Sequence, residues 1–189
     1  MMAAKLEIVI GPMYSGKSTE LIRRCSRYAS IGKDVCVVNH AFDTRCAPNS
    51  VATHSHTTYD AIKVKNLMDL DMQGIPDVIG IDEAQFFEDL FEFVLKMERF
   101  NCVIIIAGLD GDFQRNNFGQ IYKCIPLCDT ITKLSAMCCV CNDGTPGSFT
   151  KKINLNNTDQ VDIGGKDKFI AVCRKHYFST SSDSDNSNK

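Results

Sequence analysis

Leu6-Glu7-Ile8-Val9-Ile10-Gly11-Pro12-Met13-Tyr14-Ser15-Gly16-Lys17-Ser18-Thr19-Glu20-Leu21-Ile22 is the stretch that decides the fold class of this chain. Leu6 to Ile10 is a short, branched apolar run of strand length, and Gly11 ends it. Gly11 to Ser18 fits G-x-x-x-x-G-K-[ST], and between Thr19 and Tyr28 the apolar Leu21, Ile22 and Cys25 return at helical spacing. Strand, glycine loop and helix in that order are the context that makes the pattern a phosphate loop. Gly11 and Gly16 let backbone N–H groups curl around an anion at a helix N-terminus, with Pro12, Met13, Tyr14 and Ser15 forming the turn between them. Lys17 is placed to neutralise phosphate oxygens, and Ser18 offers a hydroxyl to Mg²⁺.

Outward from that loop, Val35 to Asn39, Val78 to Ile81 and Cys102 to Ala107 repeat the buried, non-alternating apolar pattern, with a helix predicted over Leu90 to Phe100. Such runs separated by helices predict an α/β protein, a parallel sheet covered on both faces. Val78 to Ile81 is followed by Asp82, the position from which a carboxylate beside a phosphate loop holds Mg²⁺ or its water. Glu83 follows at the carboxyl edge of the sheet, where α/β proteins place ligands, and is a candidate to remove a proton from an attacking hydroxyl or water.

The texture changes after Leu134. Residues 1–134 read as the α/β phosphate-loop domain, 135–178 as a small appended subdomain and 179–189, almost wholly Ser, Asp and Asn, as a disordered tail. Cys138 and Cys141, then Cys173 and His176, are each separated by two residues, the spacing of a closed Cys₃His structural zinc site. Cys139 competes with Cys138 for that set; the two-residue gap favours Cys138. Cys36 and Cys102 fall in predicted strands and read as core. His40 and His56 have no partner pattern and read as surface residues, as do Arg23, Arg24, Arg27 and Lys33.

Length and composition bound the function. The chain has 189 residues, 44% hydrophobic and 23% charged, about one globular domain and not a disordered or fibrous protein. No apolar run approaches the ~20 residues of a membrane helix, so no membrane role is expected. The motif begins at Gly11, leaving no room for a signal peptide ahead of it, which predicts a cytoplasmic protein. Ten cysteines in such a compartment read as metal ligands or buried thiols before disulfides. A net charge of −2 provides no broad positive field, so no nucleic-acid partner is expected.

The phosphate loop continuing through Arg24, then Asp43-Thr44-Arg45, Thr53-His54, Ile79 to Phe87, Leu109 to Arg115 and Val172 to Tyr177, in that order, resemble the cytosolic-type (type II) thymidine kinases of cells and large DNA viruses. The motifs span roughly Leu6 to Tyr177. The resemblance implies transfer of the ATP γ-phosphoryl group to the 5′-hydroxyl of thymidine, giving dTMP, with Glu83 as general base. It implies that Asp43, Thr44, Arg45 and Gln85 join the phosphate loop and Asp82 around ATP and Mg²⁺. It places Phe113 against the thymine ring, with Met13, Phe86, Leu109 and Phe118 as the apolar wall. The span from Cys141 to Cys173 resembles the family's zinc-tethered lasso, with Gln160, Val161, Asp162, Ile163 and Gly164 where lasso backbone holds the base. Phe169 stands where the family commonly has Tyr, Ala84 where it has Gly, Tyr14 where it has Phe, His176 where many members have Cys, and Lys152 where Arg is common. The resemblance also implies a homotetramer and feedback inhibition by dTTP.

Two other classes compete with it. A nucleic-acid-dependent ATPase would suit Asp82-Glu83-Ala84-Gln85 alone, but the length and acidic balance oppose it. A non-catalytic zinc-stabilised module that keeps an ATP loop would be insensitive to loss of Glu83.

Overall fold

The computed structural model describes residues 4–42, 50–52, 58–71, 74–153, 160, 164–165 and 167–179. Asp43, Thr44, Arg45, His54, His56, Val161, Asp162, Ile163 and the tail beyond Ser179 lie outside the described residues.

In chain order, β1 (Lys5–Gly11) leads into α1 (Lys17–Ala29) and β2 (Val35–His40). A small antiparallel pair follows, β3 (Ser50–Ala52) with β4 (Thr58–Asp60), then β5 (Ile62–Val64) and β6 (Val78–Ile81). Next come α2 (Leu90–Met97), β7 (Val103–Leu109), α3 (Ile121–Cys124) and β8 (Thr130–Lys133). The appended region holds β9 (Ala136–Met137), β10 (Pro146–Gly147), β11 (Phe149–Lys152), β12 (Phe169–Val172) and α4 (Arg174–Phe178).

Six strands form one sheet in the order β5-β2-β6-β7-β1-β8, every neighbouring pair parallel, so the α/β class predicted from the sequence is the class observed. The pleat sorts the side chains. Ile104 and Ile106 of β7 join Leu6, Ile8 and Ile10 of β1 against Leu90, Phe93, Val94 and Met97 of α2. Ile105 and Ala107 join Val9 and Val37 against Leu21, Ile22 and Cys25 of α1. Because both faces are covered, the central strands need no polar side, which is why they read as unbroken apolar runs.

Two edge strands escaped the sequence reading. β5 (Ile-Lys-Val) and β8 (Thr-Ile-Thr-Lys) are short and largely exposed, and lack the apolar run that marks a central strand. The second helix ends at Met97, three residues before the predicted Phe100, in a turn closed by Phe100 N–H to the Met97 carbonyl at 3.0 Å. Arg24 also differs from its expectation. Its side chain is only 12% exposed and donates to Glu7 of β1 at 2.8 Å, Glu20 at 2.8 Å and the Thr132 hydroxyl of β8 at 2.9 Å. Glu7 lies on the α1 face of β1 beside Val9, so an arginine one helical turn beyond Glu20 is drawn inward to neutralise it. No helix of the described residues is long and apolar enough to cross a membrane.

Candidate active site

The carboxyl ends of β1, β6 and β7 meet on one edge of the sheet, and the sequence motifs lie at those ends. Gly11 closes β1 where a Cβ would stand 2.6 Å from the Leu134 carbonyl oxygen and 2.8 Å from Ser15 Oγ, so only glycine fits. Gly16 takes a left-handed conformation, φ 84°, as the residue before α1, and Tyr14 is held at φ 66°, a conformation side chains disfavour. The Pro12 carbonyl gathers the loop, accepting from Ser15 Oγ at 2.8 Å and Lys17 Nζ at 2.7 Å. These residues form a cradle at the N-terminus of α1, with the Lys17 ammonium folded over it onto the Pro12 carbonyl.

Ser18 Oγ, in the first turn of α1, donates to Asp82 Oδ1 at 3.1 Å. A hydroxyl and a 2%-exposed carboxylate therefore share one point beside the cradle, an all-oxygen set of the hard kind Mg²⁺ prefers. Glu83 is half-buried and sits at φ 49°, ψ 40° before a 3-10 turn over Ala84–Phe86. Its carboxylate accepts from Gln85 Nε2 at 2.6 Å, while Gln85 Oε1 accepts from the Leu109 N–H at 3.0 Å. Gln85, expected among the ATP and Mg²⁺ residues, thus directs its amide to Glu83 and to the end of β7.

The apolar residues gather on the same edge. The Phe86 and Phe118 rings meet edge-on at 5.6 Å, and those of Phe113 and Phe169 lie tilted at 6.2 Å. Lys152 is buried, its Nζ lying 4.9 Å from the Phe113 ring centre and 5.7 Å from that of Phe169. The Met13 N–H donates to Thr150 Oγ1 at 3.0 Å and the Tyr14 hydroxyl to the Phe169 carbonyl at 3.2 Å, so β11 and β12 dock on the phosphate loop. Neighbouring Lys151 points the other way and caps α4, donating to the carbonyls of His176 at 2.8 Å and Ser179 at 2.6 Å. Gln160 Nε2 donates to the buried Asp112 at 2.8 Å and to the Asn117 carbonyl at 3.0 Å. Gly164 adjoins the Lys168 side chain, which a Cβ there would strike.

His40 departs from its surface expectation: it is 2% exposed, its ring 4.7 Å from those of both Phe42 and Phe87 and 5.7 Å from Phe86. Nδ1 accepts the Phe42 N–H at 3.1 Å, and burial lowers its pKa from the ordinary 6.5, so it stands as neutral imidazole. The only hint in the sequence was its place at the end of an apolar strand.

In the appended region the ligand atoms of Cys138, Cys141, Cys173 and His176 all lie within 4.8 Å of one another. The Cys141 and Cys173 sulfurs are 3.8 Å apart, and His176 Nδ1 is 3.5, 3.3 and 3.4 Å from the sulfurs of Cys138, Cys141 and Cys173. Ligands on a tetrahedral zinc with bonds of ~2.0–2.3 Å stand roughly 3.5–3.8 Å apart, close to these separations, so the donor set and its spacing fit a structural zinc. Cys139, the competing residue, is exposed and lies 4.0 Å from the Met137 carbonyl instead. Burial opposes ionisation of Cys138, but N–H groups of Cys141 and Cys173 and the His176 ring outweigh it and bring the thiol to about 6. Burial first, helped by nearby acidic groups and thiols, pushes Cys25 and Cys124 up to about 12, the behaviour of core thiols.

Two tethers join this region to the aromatic loop after β7. The Asp112–Gln160 contact is one. In the other, the Tyr177 hydroxyl, one residue past His176, donates to the Phe113 carbonyl at 2.9 Å, while the Arg115 guanidinium lies 4.4 Å from the Tyr177 ring centre and 4.8 Å from that of Phe178. Spacing alone gave no sign of either.

The thymidine kinase family profile matches residues 4–177. "Thymidine kinase a" of Arabidopsis thaliana is 42% identical over 179 residues, covering 91% of this chain and 74% of the plant protein. "Thymidine kinase" of Fowlpox virus is 40% identical over 187 residues, covering 95% of this chain and 100% of the viral one. "Thymidine kinase" of Sheeppox virus is 44% identical over 174 residues, covering 92% and 96%. With a glycine cradle, an acidic pair and an aromatic wall on one sheet edge, and with residues 4–177 matched by the family profile, the chain belongs to the thymidine kinase family of phosphotransferases.

Proposed function

We propose that this protein transfers the γ-phosphoryl group of ATP to the 5′-hydroxyl of thymidine, yielding dTMP and ADP in the cytosol. The observation that carries the proposal is the juxtaposition at the ends of β1 and β6: Ser18 hydrogen-bonds Asp82 at 3.1 Å, and Glu83 is the next residue. The cradle of Gly11 to Ser18 binds the triphosphate. Glu83 takes the proton of the 5′-hydroxyl as its oxygen forms the bond to γ-phosphorus and the bond to the β–γ bridging oxygen breaks. Lys17 counters charge on the phosphoryl oxygens. The motif resemblance assigns Asp43, Thr44 and Arg45 to the same side of the reaction. Mg²⁺, held at Ser18 and Asp82, would supply further neutralisation of the phosphate charge.

Thymidine is assigned to the space bounded by Met13, Phe86, Leu109, Phe113, Phe118 and Phe169, with the base edge met by the segment Gln160 to Gly164. A base edge facing fixed backbone groups rejects analogues that leave those groups unpaired, which favours thymine over purines. Zinc on Cys138, Cys141, Cys173 and His176 would brace both ends of that segment. We extend the proposal to a homotetramer and to inhibition by dTTP, which sedimentation and product inhibition respectively test.

Labelled γ-phosphate from ATP, offered to thymidine, deoxycytidine and deoxyguanosine, is expected to appear only in the thymidine product. In Glu83→Gln the rate should fall roughly 10²–10⁴-fold, the usual worth of a positioned general base, while both ligands still bind. Failure to label any nucleoside, with ATP still bound, would leave the non-catalytic zinc module.

A further inference from the structure

Gln85 is a buried side chain for which phosphoryl transfer gives no direct use. It is 3% exposed, and both ends of its amide are engaged inside the protein. The orientation of that amide follows from its partners. The Leu109 N–H only donates, so it faces Oε1; the Glu83 carboxylate only accepts, so it faces Nε2. The bonds are 3.0 and 2.6 Å.

Its surroundings fix it further. Gly108 lies where a Cβ would stand 2.7 Å from Gln85 Oε1, and Gly119, at φ 64°, lies where a Cβ would overlap the Gln85 carbonyl. Two glycines therefore let β7 and the segment before α3 close directly on this one residue. Glu83, by contrast, is half-buried and holds a strained left-handed backbone at φ 49°, so its side chain depends on a neighbour for its direction. Among the described residues, Gln85, anchored to β7, donates to the Glu83 carboxylate at 2.6 Å.

We propose that Gln85 is a positioning residue that aims the Glu83 carboxylate at the acceptor hydroxyl and locks it to Leu109, a wall of the nucleoside space. The inference rests on the proposed function for the identity of the reaction, and on the geometry for the role. One amide thus spans the base and the pocket, so that filling the pocket and orienting the base are mechanically one event.

The test compares wild-type protein with Gln85→Glu and Gln85→Met. Gln85→Glu keeps the shape and the acceptor for Leu109 but sets a second carboxylate against Glu83. Two carboxylates so close share a proton, so the acid limb of the kcat profile should move to higher pH. Loss of the donor should lower kcat about tenfold or more, with the KM for thymidine changed by less than about threefold. Carbonyl-carbon NMR of the Glu83 carboxyl should show its titration displaced in the same direction, a readout that needs no turnover. Should Gln85→Met fail to fold, the near-isosteric Gln85→Glu carries the comparison. An unchanged acid limb and an unmoved Glu83 titration in a folded variant overturn the inference. Equal loss of thymidine and ATP binding would also overturn it, since that marks a purely structural residue. A wild-type protein that phosphorylates no nucleoside removes the proposed function instead, and leaves the NMR comparison to decide the Gln85–Glu83 contact.

Discussion

His40 shows at the scale of one residue how packing decides chemistry. An imidazole in sequence is polar; here three phenylalanine rings enclose it and Nδ1 receives a backbone N–H. Burial lowers its folded-state pKa below the 6.5 of a free side chain, so the unfolded chain binds the extra proton more readily. The sign follows: stability is full above the ordinary imidazole range and declines as pH falls through it. Thermal melts across that range should show this decline in the wild-type protein and a flatter dependence in His40→Gln, whose amide does not titrate there.

At the scale of elements, α1 is tied to the sheet by more than its apolar stripe. Leu21, Ile22 and Cys25 cover the central strands, but Arg24 reaches past them to Glu7 in β1 and Thr132 in β8. The edge strand β8 thereby gains a side-chain link to α1. Replacing Arg24 with Met leaves the buried Glu7, among the described residues, with the more exposed Lys5 as its ion-pair partner at 2.6 Å. The expected cost is about 2–3 kcal/mol, somewhat under that of a fully stranded buried charge, read from denaturant midpoints. Hydrogen exchange should quicken in β8 first. The sequence reading missed β8 for the reason that makes this link useful: an edge strand is polar, and little but a neighbour identifies it.

At the scale of the whole molecule, the Cys₃His cluster lies at one end of a physical connection to the aromatic wall proposed to hold the nucleoside. His176 is followed by Tyr177, whose hydroxyl holds the Phe113 carbonyl, and Arg115 stacks over Tyr177 and Phe178. Phe113 packs in turn against Phe169 of β12, itself hydrogen-bonded through its carbonyl to Tyr14 of the phosphate loop. Tyr177→Phe keeps the ring and removes the hydroxyl, so it should raise the KM for thymidine roughly three- to tenfold, the worth of one hydrogen bond, with kcat and zinc content little changed. Chelation should act more broadly, loosening β9 to β12 and weakening thymidine more than ATP. Parallel calorimetry of the two ligands separates the effects.

The sequence by itself determined the α/β class, and the G-x-x-x-x-G-K-S pattern of Gly11 to Ser18, the acidic pair after β6 and the Cys₃His spacing are legible in it, because each is written in consecutive residues or short fixed gaps. Only the tertiary structure decided what those residues meet. That Ser18 reaches Asp82, that Gln85 joins Glu83 to Leu109, that His40 and Arg24 turn inward and that Tyr177 holds Phe113 are contacts between segments 2 to 108 positions apart, most of them on different elements. Periodicity and motif spacing report a residue's own strand or helix; the partner across the sheet edge is chosen by how the elements pack, and packing appears only when the chain is folded.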